Sequence, residues 1–249
     1  MEARDRPLGA VVSALLLAAM LSGPAEAGAF PGPEVIGAYE GNLRSGYAFG
    51  SVMSPSVDGK LMPVGRATVS YLYYRFPDGM GTGETRVLSP GLGLGVGLRW
   101  RPERLSCTLV AGYEVRYVQE RPSAGPYVAR ADHGVSLSAD VYFQASQKVA
   151  LATSGYFGFA QNYLWVRALA KRQILPIHGT AITAFSLGVD GTVHGNDQAR
   201  GADGGVFGEL AFPGAQTALS LRVGVGRELQ PGAQDAWVGV LGASVYKSF

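Results

Sequence analysis

Long segments of this chain alternate strictly between large apolar side chains and small or polar ones. Residues 90–100, PGLGLGVGLRW, place every large apolar side chain at an even position and put glycine or Arg99 at the odd positions between. A period of two residues is that of a β-strand, whose successive side chains point to opposite faces. A phosphate-binding glycine loop would instead open a helix, and no helical pattern follows here. The segment therefore predicts a strand with one apolar face and an opposite face whose glycines leave space for neighbouring groups or for close approach of another backbone.

The same alternation recurs in five later segments of about 10 to 15 residues: 105–119, 133–145, 162–172, 181–194 and 217–228. Strands of ordinary globular proteins have about 5 or 6 residues. Strands that cross a bilayer in a barrel need about 9 to 11 residues, with apolar side chains outside and polar ones inside. The length and the one-sided polarity favour an antiparallel transmembrane β-barrel over a soluble periplasmic β protein.

Charged side chains recur on the face opposite the apolar one, and we assign them to the lumen of the barrel. Buried charges are costly unless they are paired or hydrated, so the mixture of signs fits either a salt-bridged interior or a narrow aqueous pore. The predicted lumen residues are Arg66, Arg99, Glu114, Arg116, Asp140, Arg167, Lys171, Asp190, Glu209, Arg222 and Glu228.

Short and long connections alternate between these segments. The short ones are 101–104, 145–148 and 213–216, and the long ones are 76–84, 119–130, 195–203 and 230–235. Such alternation is typical of outer-membrane barrels, whose strand number is usually even. Eleven strands are clear from about residue 45 onward, and residues 34–41 supply a twelfth. We therefore predict twelve strands, with ten as the alternative, in a closed barrel that leaves no sheet edge unpaired in lipid.

The N-terminus has the pattern of a secretory signal peptide. Arg4 and Arg6 precede an apolar run, and Ala25-Glu26-Ala27 places small residues at the two positions that a signal peptidase recognises. We predict a signal peptide at residues 1–27, cleaved near Ala27, and a barrel at residues 28–249 in the outer membrane.

Beyond residue 27 no run of 18 apolar residues follows, which excludes a helical membrane protein. A net charge of +2 does not indicate nucleic acid as a partner.

Residues that could carry chemistry are scarce, and we predict no catalytic residue, metal site or cofactor. The three histidines, His133, His178 and His194, have no close mutual spacing, and the single cysteine, Cys107, lies on the apolar face. His194 and Asn196 leave open a lipid-modifying barrel enzyme, but no motif places a serine beside them. Aromatic residues crowd the strand ends and suggest a membrane-interface girdle: Tyr71, Tyr73, Tyr74, Phe76, Tyr156, Phe157, Phe159, Tyr163 and Trp165.

The second half of the chain, from HGVSLSADVYFQ through LATSGYFGFAQNYLWVRALAK to FSLGVDGTVHGNDQARGADGGVFGEL, resembles the BcsS-type cellulose-biosynthesis proteins of bacterial envelopes. In that family a strand ending in Gly-Asn, here Gly195-Asn196, is followed by a short charged loop and a glycine-rich strand. The stretches SGYAFGSVMSPSVDG and SYLYYRF are similar to its N-terminal portion. The resemblance implies an outer-membrane component that accompanies cellulose synthesis and export, with no catalytic residues to transfer.

These observations predict a non-enzymatic outer-membrane barrel that serves cellulose or exopolysaccharide production. Its expected partners are outer-membrane lipid, the glucan chain and components of the synthase and export system. The alternatives are a small general porin or structural barrel, and, less favoured, a lipid-modifying enzyme.

Overall fold

The computed structural model describes residues 32–42, 44–54, 60–77, 83–123, 125–176, 184–197, 199–229 and 236–249. Within these residues, twelve antiparallel strands form a closed barrel in which each strand pairs with the next and β12 pairs with β1. The strands are β1 (Glu34–Gly41), β2 (Ser45–Met53), β3 (Leu61–Pro77), β4 (Glu84–Trp100), β5 (Leu105–Arg121), β6 (Val128–Gln144), β7 (Val149–Gly158), β8 (Tyr163–Pro176), β9 (Ala184–Gly195), β10 (Arg200–Phe212), β11 (Thr217–Leu229) and β12 (Ala236–Ser248). The predicted signal peptide, residues 1–27, lies outside the described residues.

The barrel closes where its first strand meets its last. The β1–β12 ladder runs without a break from Glu34 opposite Ser248 to Gly41 opposite Leu241. Closure confirms the prediction of a twelve-stranded barrel that begins with residues 34–41, and the ten-strand alternative is wrong. Because every strand has a neighbour on both sides, the backbone N–H and C=O groups are bonded around the whole ring.

The outer surface of the barrel is an apolar belt. The side chains of Leu94, Val96 and Trp237 are 72%, 74% and 76% exposed, whereas Arg99 and Glu114 on the opposite face are buried. A continuous apolar surface of this kind suits hydrocarbon rather than water. The described residues contain no helix that is long and apolar enough to cross a membrane.

The alternating glycines of β4 make room for large interior side chains. A Cβ atom on Gly91 would lie 2.9 Å from the Ser70 hydroxyl oxygen and 3.0 Å from Cγ of Arg116. A Cβ atom on Gly95 would lie 2.6 Å from a methyl carbon of Val110. The two faces of β4 therefore differ because one contacts the surroundings and the other is crowded by side chains from β3 and β5.

The connections differ in part from the predicted alternation. β10 begins at Arg200, so the predicted loop at 195–203 is wrong over its second half. The loop predicted at 119–130 is shorter as well, because β5 and β6 pair as far as Glu120 opposite Val128. Seven residues separate β2 from β3 and also β8 from β9, at the end where the short turns were expected. The two loop-end connections are shorter than predicted because β-pairing continues beyond the apolar belt, which loop composition does not reveal.

Replacing Leu94 with arginine tests whether the apolar belt contacts hydrocarbon. Leu94 is at the centre of the outward apolar run from Leu88 to Trp100 on β4. An arginine at the middle of a bilayer lowers the free energy of unfolding by about 2–4 kcal/mol, whereas near the interface the cost is about 0–1 kcal/mol. Leu61→Arg, at the edge of the belt, is the matched control. Denaturant titration in lipid vesicles should show this difference, and equal costs would contradict the assignment.

Candidate functional site: the barrel lumen

Paired polar side chains line the lumen. All eleven charged side chains predicted for the lumen lie there, and each is within hydrogen-bond or ion-pair distance of another polar side chain. We call the end where β1 starts and β12 finishes the terminus end, and the opposite end the loop end.

Near the terminus end, a buried ion pair joins β4 to β1. The Arg99 guanidinium donates to both carboxylate oxygens of Glu34, over 2.6 and 2.9 Å, and its Nε donates to the Thr108 hydroxyl over 3.0 Å. The bidentate geometry is the strongest that arginine offers to a carboxylate. Glu34 was not among the predicted lumen residues. Elsewhere on the barrel wall, Lys171 Nζ on β8 contacts a carboxylate oxygen of Glu209 on β10 at 2.6 Å.

Two further groups occupy the middle of the lumen between β3 and β7. Arg66 reaches across to β6, where its Nη2 lies 2.6 Å from Asp140 Oδ2 and its Nη1 donates to the Ser138 hydroxyl over 2.9 Å. The Nε of Arg66 is buried and has no hydrogen-bond partner.

The second group is centred on Glu114. Its carboxylate accepts from Arg116 Nε over 3.2 Å and from the hydroxyl of Tyr156, and Arg116 also donates to the Ser70 hydroxyl over 3.1 Å. These contacts hold β3, β5 and β7 together from inside the barrel.

The opposite half of the barrel holds five charged side chains from five strands, which we call the ion cluster: Glu40, Arg167, Asp190, Asp203 and Arg222. Arg222 contacts Asp190 at 2.7 Å and Glu40 at 3.5 Å, and it also pairs with Asp203. Arg167 pairs with Asp190 and lies 3.9 Å from Glu40. Sequence reasoning missed Glu40, and it missed Asp203 because residues 195–203 were assigned to a loop.

Toward the loop end, aromatic side chains cross the lumen, and we call them the aromatic layer: Tyr47, Tyr74, Tyr156, Tyr163 and Trp165. The ring of Tyr47 on β2 lies 6.1 Å from the ring of Tyr163 and 6.5 Å from that of Trp165, both on β8. β2 and β8 are six strands apart in the ring of twelve, so these contacts join opposite walls.

The predicted aromatic girdle is therefore wrong for five of its nine members: Tyr74, Phe76, Tyr156, Tyr163 and Trp165 pack inside the barrel. Tyr71, Tyr73 and Phe157 are on the outward face, given the strand register, and Phe159 is exposed in the turn after β7. Near the loop end both faces of a strand carry aromatic side chains, so the sequence pattern alone does not separate them.

The aromatic layer and the ion cluster adjoin inside the barrel. Trp165 and Arg167 are consecutive inward residues on β8, and Tyr47 is the cross-strand partner of Glu40. The two groups consequently occupy neighbouring parts of the same cross-section.

Below the aromatic layer, toward the terminus end, lies a cavity of about 180 Å³. Its walls carry hydroxyl groups, among them Ser51, Ser70 and Ser154, together with Arg66, Asp140 and the rings of Tyr47, Phe49, Tyr156 and Trp165. The Asp140 side chain is 37% exposed, so water reaches this carboxylate. The cavity is large enough for a small polar ligand and presents donors, acceptors and ring faces to it.

A smaller recess lies at the loop end, and it contains His194. Ser45 and Glu228 line the same recess, but the Ser45 hydroxyl donates to Glu228 over 2.5 Å rather than to the imidazole, and Asn42 donates to the same oxygen over 2.7 Å. A nucleophilic serine would instead need a hydrogen bond to the histidine base. Among the described residues, no group of three or more His, Cys, Asp and Glu could hold a metal ion; His178 lies outside them.

Ionic conductance measures whether the lumen is closed. We expect the reconstituted wild-type barrel to conduct poorly, and the variant Tyr47→Ala/Tyr163→Ala/Trp165→Ala to conduct readily because rings from opposite walls are removed. Trp237→Ala, which removes an outward ring, is the control and should behave as wild type. Single-channel recording in planar bilayers distinguishes these outcomes, and equal conductance of wild type and triple variant would show that the layer does not close the lumen.

Comparison with known proteins agrees with this architecture. The β domain of the Bordetella autotransporter Brka is 11% identical, with a TM-score of 0.52, over 89% of this chain and 100% of that one. The translocator domain of the autotransporter NalP from Neisseria meningitidis is 12% identical, with a TM-score of 0.49, over 96% and 95%. The KdgM porin is 8% identical, with a TM-score of 0.47, over 87% and 99%. The similarity to the Brka domain shows that the fold is that of an outer-membrane barrel.

Sequence comparison identifies the family. No curated protein matches the chain significantly. The family model described as cellulose biosynthesis protein BcsS matches residues 44–244. These residues include β2 to β11 entirely, most of β12, and all of the charged groups above except Glu34 and Glu40. This match confirms the resemblance seen in the sequence, and the chain belongs to the BcsS family of cellulose biosynthesis proteins.

Proposed function

We propose that this protein is a non-enzymatic accessory barrel of the outer membrane that serves cellulose production or export. Family membership is the observation that carries the proposal. The apolar belt supports an outer-membrane location, with the terminus end facing the periplasm after removal of a signal peptide near Ala27. The lipid of that membrane, the glucan chain and components of the synthase and export system are the proposed partners.

We propose further that the barrel contacts the glucan without conducting it. A polymer chain cannot pass the aromatic layer while rings from β2 and β8 are in contact. The ion cluster obstructs the other half of the cross-section, and separating its buried charges would be costly. A role in binding or positioning the glucan at the terminus end agrees better with this interior than a role as a pore.

The cavity beneath the aromatic layer is the proposed contact point for glucan. Sugars stack on aromatic rings and exchange hydrogen bonds with hydroxyl, guanidinium and carboxylate groups. The cavity combines the Trp165 and Tyr156 rings with the Asp140 carboxylate and the Arg66 side chain, which also line it. A glucose unit at the end of a chain would meet both kinds of group there.

Gene deletion and complementation test the accessory role. We expect deletion to lower secreted cellulose while the synthase remains active, and the wild-type gene to restore secretion. Trp165→Ala should fail to restore it, because a ring of the cavity is lost, and Trp237→Ala should restore it. The measurement is secreted cellulose per cell, with outer-membrane levels of each variant checked. Unchanged secretion after deletion would refute the proposal.

Tryptophan fluorescence tests the cavity separately. Of the three tryptophans, Trp100 and Trp237 face outward and only Trp165 lines the cavity. We expect cello-oligosaccharides to change the emission of the purified barrel saturably, and the signal to vanish in Trp165→Phe. Calorimetric titration should show that Arg66→Gln weakens binding about tenfold, since a charge-assisted hydrogen bond is lost. Oligosaccharides with α-linkages are the control ligand. Absence of saturable binding would remove the cavity from the mechanism without deciding the accessory role.

A further inference from the structure

Three arginines stand side by side on the outer face of the barrel at the loop end. Arg75 on β3 is the direct cross-strand partner of Arg86 on β4, and Arg86 is in turn the partner of Arg121 on β5. We call these residues the arginine row. Directly opposed residues on neighbouring strands have Cβ atoms about 4.5–5.5 Å apart, so the three side chains emerge from one small area.

The arginine row lies immediately beyond the apolar belt. On β3 and β4, the preceding outward residues toward the belt are Tyr73 and Leu88. Arg86 and Arg121 are exposed, and the Arg75 side chain is partly exposed. Tyrosine and tryptophan at such positions mark the level of lipid headgroups, and the row is therefore placed where headgroup phosphates would lie.

Three positive charges are grouped in the arginine row. Glu84 lies 3.8 Å from Arg75, whose Nε also donates to the Tyr73 hydroxyl. The Arg75 and Arg121 guanidinium groups also lie over the rings of Tyr73 and Tyr127, at 5.5 and 5.8 Å from their centroids. Like charges directly opposite each other destabilise a sheet, so an external anion would relieve the repulsion.

We propose that the arginine row binds the phosphate group of a phosphorylated lipid in the outer leaflet. Guanidinium groups form paired, parallel hydrogen bonds to phosphate oxygens, and neighbouring arginines can share one phosphate. A lipid bound there would have its acyl chains against Leu88 and its headgroup among the arginines. The inference uses the proposed outer-membrane location, but it is independent of any role in cellulose production.

Purified barrel in neutral detergent micelles, titrated with bisphosphorylated lipid A, tests this site. We expect lipid A to raise the midpoint of thermal unfolding of the wild type, and Arg75→Gln/Arg86→Gln/Arg121→Gln to abolish that rise and weaken binding at least about tenfold. Without lipid A, the triple variant should be at least as stable as the wild type, because repulsion is removed. The corresponding triple lysine variant should retain part of the affinity through its charge.

Controls identify the ligand and the site. Arg172→Gln removes an exposed arginine on β8 near the terminus end and should leave lipid A binding unchanged. Dephosphorylated lipid A should not stabilise the wild type, and inorganic phosphate should compete only weakly. The proposal is overturned if dephosphorylated lipid A binds equally well or if inorganic phosphate displaces lipid A completely. It is also overturned if Arg172→Gln weakens binding as much as the triple glutamine variant does, or if that triple variant is less stable than the wild type in neutral detergent.

Discussion

In hydrocarbon, a backbone N–H or C=O group without a protein partner has no water to bond, and closure of the barrel is the constraint from which the other features follow. Twelve strands meet this constraint because β1 and β12 pair over their full facing length. Once the ring is closed, each strand has one face outside and one inside. The apolar belt, exemplified by Leu94 and Val96, and the charged interior are then two consequences of one geometry.

Closure also determines how the interior must be built. Charges taken out of water are tolerated when they are paired, and several of the pairs here join strands that are not neighbours in the barrel. Arg66 spans from β3 to β6, and Glu40 on β1 meets arginines from β8 and β11. Together with the rings of Tyr47 and Tyr163, these contacts brace opposite walls. The interior is accordingly better suited to holding a ligand in its cavity than to passing a polymer.

The two proposed binding sites lie on surfaces that the contacts across the lumen leave open. The cavity near Asp140 and Trp165 lies on the terminus-end side of the aromatic layer, where a periplasmic glucan would approach. The arginine row lies on the outer face at the other end, where lipid headgroups would be. A closed accessory barrel could thereby be anchored in a particular leaflet while it contacts a polymer on the opposite side of the membrane.

The period of two is a property of each strand alone, and the sequence therefore determined the fold class and the face on which the eleven charged lumen residues lie. Closure of the ring decided between twelve strands and ten. Which residues contact each other depends on strand register and on closure of the barrel, and neither is a property of one strand alone. The pairing of Arg99 with Glu34, 65 residues apart, is one example. The inward direction of Tyr74 and Trp165 is another, since aromatic residues occupy both faces near the loop end. The arginine row exists only because the β3–β4 and β4–β5 registers align three residues that are 11 and 35 positions apart in the chain.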